Sequence, residues 1–173
     1  ALNATGNSLD NILTGHSGNN TLTGGAGNDV YVFNPGFGQD TIIDSSGIDT
    51  VRFTSGVTTS DIELFKYNND LVISIKNSTN KITLTGWYTS DTNKIESFEF
   101  SNGTVLTNQD ISNMPYSLAP LNLVGTSGND SLVGAEGNDT ITDGYVTGLP
   151  ATWGTGNDTI SGGTGNDSIS SYY

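Results

Sequence analysis

Apolar residues in this chain seldom come in runs; over much of its length they recur singly, nine residues apart. Leu13, Leu22 and Tyr31 keep that spacing, and Ile42 and Val51 resume it after two extra residues. Leu132 and Ile141, then Ile160 and Ile169, repeat it near the other end. Neither a helical period nor a sustained alternation fits this pattern. Each apolar residue sits in a three-residue segment just long enough for a minimal strand. The six residues before it are rich in Gly, Asn, Asp and Ser, as in GGAGNDVYV from Gly24 to Val32. A fixed period of this kind predicts a solenoid, in which a tight turn and one short strand form each coil and stacked coils share a core.

The frame set at Gly24 extends in both directions. GNSLDNILT (6–14) and GHSGNNTLT (15–23) precede it; PGFGQDTII (35–43) and DSSGIDTVR (44–52) follow the extra Phe33 and Asn34. A second block holds GTSGNDSLV (125–133), GAEGNDTIT (134–142), WGTGNDTIS (153–161) and GGTGNDSIS (162–170), with a ten-residue insertion from Asp143 to Thr152. Between the blocks the rule changes. DIELFKY, LVISIK, KITLTGWY, IESFEF and TVL read as strands separated by turn-rich segments. Asn102-Gly103 marks a hairpin, and Asn108 to Asp110 cap a short helical turn. The expected class is all-β: a solenoid of short strands in two blocks, residues 1–52 and 118–173, flanking a small antiparallel β module at 53–117.

Composition narrows the chemistry. Eighteen acidic residues against five basic ones give a formal net charge of −13. That excludes the Lys and Arg clusters with which proteins meet nucleic acid or anionic membranes. No Cys is present, so disulfides and thiolate metal sites are excluded. No apolar run approaches the roughly 18 residues of a membrane span, and the chain reads as a piece of a larger protein.

Half of the fourteen Asp residues stand at the sixth place of a repeat rather than in one acidic tract. A sixth-place carboxylate beside a tight turn with exposed carbonyls offers only hard oxygen ligands, which is the set calcium prefers. One buried apolar side chain per nine ordered residues cannot offset the backbone entropy of folding. The repeats are therefore expected to order only when an ion neutralises the stacked carboxylates.

These motifs resemble the calcium-binding repeats of RTX (haemolysin-type) secreted proteins, and FEFSNGTVLTNQDI resembles, more loosely, a β-rich stretch that often accompanies them. The resemblance implies a β-roll with calcium held between each turn and the next but one. One turn would offer its second and fourth carbonyls, the other its first and third, and both their sixth-place side chains. It would place Asp29 and Asp49 on one ion with Gly25, Gly27, Asp44 and Ser46. A second ion would join Asp40 and Asn20 to His16, Gly18, Pro35 and Phe37. A third would join Asn11, Asn7 and Leu9 to Gly24, Ala26 and Asp29, although Leu9 and Asn11 depart from the repeat. In the second block Asp130 would pair with Asp158, drawing on Thr126, Gly128, Trp153 and Thr155. Asp139 would pair with Asp167, with Ala135, Gly137, Gly162 and Thr164; an insertion counted as an extra turn would instead set Asp139 against Asp158. The ions would number on the order of four to five, each with six to eight oxygens. The resemblance also implies type I secretion and folding outside the cell.

The remaining polar residues carry weaker signals. Asp61, Asp70, Asp91 and Asp110 fall outside the frame and read as turn or cap residues; Glu63, Glu96 and Glu99 read as the wet face of strands. With one His and no Cys, a Ser-His-Asp triad would have to use His16, so a non-enzymatic module is expected. Its partners would be calcium and other domains of a larger parent chain. The alternative is a calcium-dependent polysaccharide- or surface-binding module, for which Trp87, Tyr88, Trp153, Tyr172 and Tyr173 are the stacking candidates.

Overall fold

The structure, a computed structural model, describes residues 2–118, 122–124, 129, 131–133, 139–143 and 159–171. It divides into two units, Ala1–Tyr116 and Ser117–Tyr173.

In the first unit the strands of the nonapeptides are β2 (Ile12–Thr14), β3 (Thr21–Thr23), β4 (Val30–Phe33), β5 (Gln39–Ile43) and β6 (Thr50–Phe53), preceded by β1 (Ala4–Thr5). Strands from alternate turns pair in parallel, so the chain winds between two sheets. β2, β4 and β6 form one, with Leu13 opposite Tyr31 and Tyr31 opposite Val51. β1, β3 and β5 form the other, with Ala4 opposite Leu22 and Leu22 opposite Ile42. Since pairing in register puts like positions side by side, every eighth-place apolar residue points into the same interior. Leu13, Leu22, Tyr31, Ile42 and Val51 are all buried.

The middle segment supplies β7 (Ile62–Tyr67), β8 (Asp70–Ile75), β9 (Lys81–Leu84), β10 (Ser97–Glu99), β11 (Val105–Thr107), the helix α1 (Asn108–Asn113) and β12 (Tyr116–Leu118). As expected, β7 and β8 form an antiparallel hairpin and β10 pairs antiparallel with β11. The hairpin turns at Asn68, whose φ of 53° is one that Asn tolerates better than most residues. The segment is not purely antiparallel, however. β9 adds to β5 in parallel, and β10 adds to β6 in parallel. The two sheets of the roll thus run on through residues 53–116, and no sheet boundary falls at residue 52.

The reason is the core. Phe33, one of the two extra residues, lengthens β4 and pairs with Phe53. Phe53 stacks on Phe100 at 5.4 Å, and Phe37 meets Phe33 edge-on at 4.9 Å. Trp87 lies edge-on to Phe98 at 6.0 Å, both buried. The aromatic side chains that the repeats lack come largely from the middle segment and the insertions.

In the second unit, β13 (Asn122–Val124), β15 (Thr140–Asp143) and β17 (Ser168–Ser171) form one parallel sheet, and β14 (Ser131–Val133) and β16 (Thr159–Ser161) another. Ile141 stands opposite Ile169 and Leu132 opposite Ile160. The insertion therefore leaves the alternation of turns intact. Each unit also opens on a strand ahead of its first full repeat, β1 and β13, which the frame did not include. Ile141 is buried, whereas Leu132 and Ile160 are half-buried and Ile169 is 52% exposed.

Candidate metal centre

The sixth residue of each turn ends the loop just before the strand, so parallel pairing stacks the sixth-place side chains of alternate turns. Backbone N–H groups bind them into a ladder. The N–H of Asn11 donates to Asp29 Oδ1 at 2.7 Å, and that of Asp29 donates to Asp49 Oδ1 at 2.8 Å. On the other side, the N–H of Asn20 donates to Asp40 Oδ1 at 2.8 Å, and within its own turn the N–H of His16 donates to Asn20 Oδ1 at 2.6 Å. In the second unit the N–H of Asp139 donates to Asp167 Oδ1 at 3.0 Å.

Each such bond uses one carboxylate oxygen and leaves the other. Asp29, Asp40 and Asp49 are at most 1% exposed, and the Oδ2 of each is buried with no hydrogen-bond partner. A buried carboxylate oxygen without a donor or cation is costly. Burial accordingly raises the pKa of all three, with the backbone donors acting in opposition. Asp49 is pushed up to about 7, first by burial and further by the charges of Asp44, Glu96 and Asp29.

Glycine at the first place keeps this space open. A Cβ on Gly24 would collide with Asp29 Oδ2, the Tyr31 hydroxyl and Asp44 Oδ2; one on Gly162 would collide with Asp167 Oδ2. Gly27, with φ of 105°, brings its turn against the backbone of Leu9, where a Cβ would lie 2.7 Å from the carbonyl carbon.

Around Asp29 and Asp49 the expected residues come together. Ala26 and Ser46 form a parallel bridge, and Ser45 Oγ donates to the Gly25 carbonyl. Asp29, Asp44 and Asp49 each bring a carboxylate oxygen to within 4.8 Å of the others, all buried. Asp44 was expected to offer its carbonyl; its side chain also faces the site. Of the residues expected around Asp40, His16, Pro35 and Phe37 line one hollow, and His16, Gly18 and Asn20 another. Only one carboxylate stands there, and the buried Asn20 Nδ2 has no partner. In the third place, Asn11 turns its Oδ1 back onto the N–H of Asn7 at 2.8 Å. Asp139, Gly162, Thr164 and Asp167 are described; Thr126, Gly128, Asp130, Ala135, Gly137, Trp153, Thr155 and Asp158 lie outside the described residues.

One assignment changes. Glu96 is no solvated strand residue: its Oε2 accepts the N–H of Asp49 at 2.8 Å, the role that Asp29, Asp49 and Asp40 play toward Asn11, Asp29 and Asn20. Glu99 keeps its place on the solvated face, where it pairs with Arg52. The signal was present, since IESFEF (95–100) matches IDTVRF (48–53) place for place. The turn and cap expectations are met at three places: Asp61 accepts from Thr58, Asp91 pairs with Lys94, and Asp110 completes a capping box with Thr107. Asp70 instead opens strand β8 and accepts the distant N–H of Gly86. Trp87 is core, which removes it from any stacking surface.

A parallel roll whose alternate turns converge on buried, unpartnered carboxylate oxygens belongs to the class of calcium-binding repeat solenoids. The donors are hard oxygens throughout, and this suits calcium and no soft or tetrahedral metal. The family model for the RTX calcium-binding nonapeptide repeat (4 copies) matches residues 5–37, 122–144 and 154–171, and that for the haemolysin-type calcium binding protein related domain matches residues 70–110. The chain is a member of the RTX (haemolysin-type) calcium-binding repeat proteins. No curated protein matches it. Among the described residues no helix is long and apolar enough to cross a membrane.

Proposed function

We propose that this chain is a non-enzymatic folding module of a larger secreted protein, exported unfolded and ordered by calcium outside the cell. Asp29, Asp40, Asp49, Asp130, Asp139, Asp158 and Asp167 are the principal carboxylate ligands, and on the order of four to five ions bind. The observation that carries this reading is the set of buried, unpartnered Oδ2 atoms on Asp29, Asp40 and Asp49. Without a cation these oxygens oppose folding; with one, binding free energy becomes folding free energy. Extracellular calcium modules work at a Kd of about 10⁻⁴ to 10⁻³ M, so the switch is off inside a cell and on outside it. Circular dichroism of the full chain during a calcium titration tests this. The β-signal is expected to rise cooperatively with calcium; the same signal in chelator would refute the proposal.

A second reading, calcium-dependent polysaccharide binding, is favoured by one surface. Tyr88 and Tyr116 are exposed, their rings 6.3 Å apart, and Lys66 Nζ lies 5.6 Å from the Tyr88 ring. Retardation in polysaccharide gels, abolished by Tyr88→Ala and by chelator, would support it, and unretarded migration would end it.

A further inference from the structure

We infer that the ion between the third and fifth turns is held by three carboxylates, the third being Asp44, and that the buried hydroxyl of Tyr31 orients it. This rests on the calcium reading above and concerns what is particular to one site. Asp44 stands where most of the repeats carry Gly. Its side chain is 6% exposed and fixed from two sides. The backbone N–H groups of Ser45 and Ser46 donate to Oδ1, at 2.6 and 3.3 Å, and the Tyr31 hydroxyl donates to Oδ2. Tyr31 is itself fully buried, at the eighth place of the third turn, where the described first-unit repeats otherwise carry Leu, Ile or Val. Its hydroxyl would be unsatisfied among apolar neighbours without this acceptor.

The two bonds leave Asp44 Oδ2 directed at the place where Asp29 Oδ2 also arrives. Both atoms lie within 2.7 Å of where a Cβ on Gly24 would stand. Asp29 Oδ2 and Asp49 Oδ2 are the partnerless atoms of the same cluster. Three like charges at this separation in a dry site repel strongly, and a divalent ion leaves one of them uncompensated. The site is consequently the most negative of those described, and the first to fill. Its preference for a trivalent over a divalent ion exceeds that of a site with two carboxylates, because charge count tunes affinity in oxygen sites.

Terbium tests this, since it occupies calcium sites and emits when a nearby aromatic ring is excited. The full chain, kept folded in calcium, is titrated with terbium and compared with Asp44→Asn and Tyr31→Phe. In the wild type the first terbium equivalent is expected to give tyrosine-excited emission, which Tyr31→Phe reduces severalfold. Asp44→Asn is expected to lower the terbium-over-calcium preference of that site by about tenfold. Asp44→Gly, which restores the repeat's own residue, gives the same comparison if the Asn variant folds poorly. An unchanged preference in these variants, or an equal loss of affinity for both ions, would overturn the assignment by making Asp44 a purely structural acceptor. Asp29→Ala separates the two levels. If it leaves calcium-driven folding untouched, the repeat-site reading itself fails; if it weakens folding while Asp44→Asn leaves the ion preference unchanged, only the third carboxylate fails.

Discussion

The two units are built from the same nonapeptide and differ in what surrounds it. In the first, all five eighth-place side chains are buried, and the sheets run on into β9 and β10, which bring Trp87, Phe98 and Phe100 into the interior. In the second, Ile141 alone among the described eighth-place residues is fully covered, and Ile169 is half exposed. The difference separates two sources of order that the repeat confounds. Where a conventional apolar core abuts the roll, the ion adds to an existing fold. Among the described residues of the second unit no such core abuts the roll, and the ion and the strand hydrogen bonds carry more of the order.

Chelation applies the strongest pressure to this contrast. Removing calcium is expected to raise amide exchange in β14 to β17 by at least about a hundredfold, while β8 and β9 keep most of their protection. Hydrogen exchange read by mass spectrometry checks it, and equal loss in both units would break the comparison. Next comes Trp87→Ala, which empties a filled space beside Phe98. It is expected to cost the first unit about 3–5 kcal/mol, read by denaturant titration in calcium, and to leave amide exchange in the second unit unchanged.

A smaller effect follows from the raised carboxyls. Because the folded, ion-free site holds its Asp49 proton up to about pH 7 whereas the unfolded chain releases it near 3.8, the fold binds more protons than the unfolded state within that window. Stability without calcium is then fully present below the window and falls as pH rises through it. With calcium the sign reverses, since the ion displaces the proton. Melting temperatures in chelator at about pH 5 and about pH 8 are expected to be higher at the acid value, and in calcium higher at the alkaline one. The smallest change is Ile169→Ala, expected to alter stability by no more than about 0.5 kcal/mol because the side chain is already half in water; a larger loss would mean that the second unit has more core than its exposure indicates.

The turn frame, the alternate pairing and the stacked aspartates were legible because each depends only on a nine-residue register. Across the insertion at Asp143 to Thr152 the register stayed open in the sequence, and the pairing of β15 with β17 decides it. What stayed hidden depends on contacts far apart in sequence. Glu96 looks like one polar residue in an alternating strand until β10 is laid beside β6, when it falls in line with Asp49. β9 enters the other sheet without the motif; its Ile82 stands opposite Asp40, so that column of side chains ends on an apolar residue. The Asp44 carboxylate was passed over because at the first place only a backbone carbonyl was expected, and its partner Tyr31 was counted merely as a large apolar residue. A period identifies which positions are equivalent; it is silent about a side chain that exploits its position differently.

The backbone-to-carboxylate ladder has a direction. At the sixth places Asn11, Asn20 and Asp29 each give their N–H to a carboxylate two turns later in the chain, so each of those turns is completed by the next but one. Shortening the roll from its beginning would bare a carboxylate oxygen, which water can solvate. Shortening it from behind would strand an inward-facing N–H, which water reaches poorly. Glu96 is the stopper at that vulnerable end, and through it the middle segment finishes the first roll as well as adjoining it.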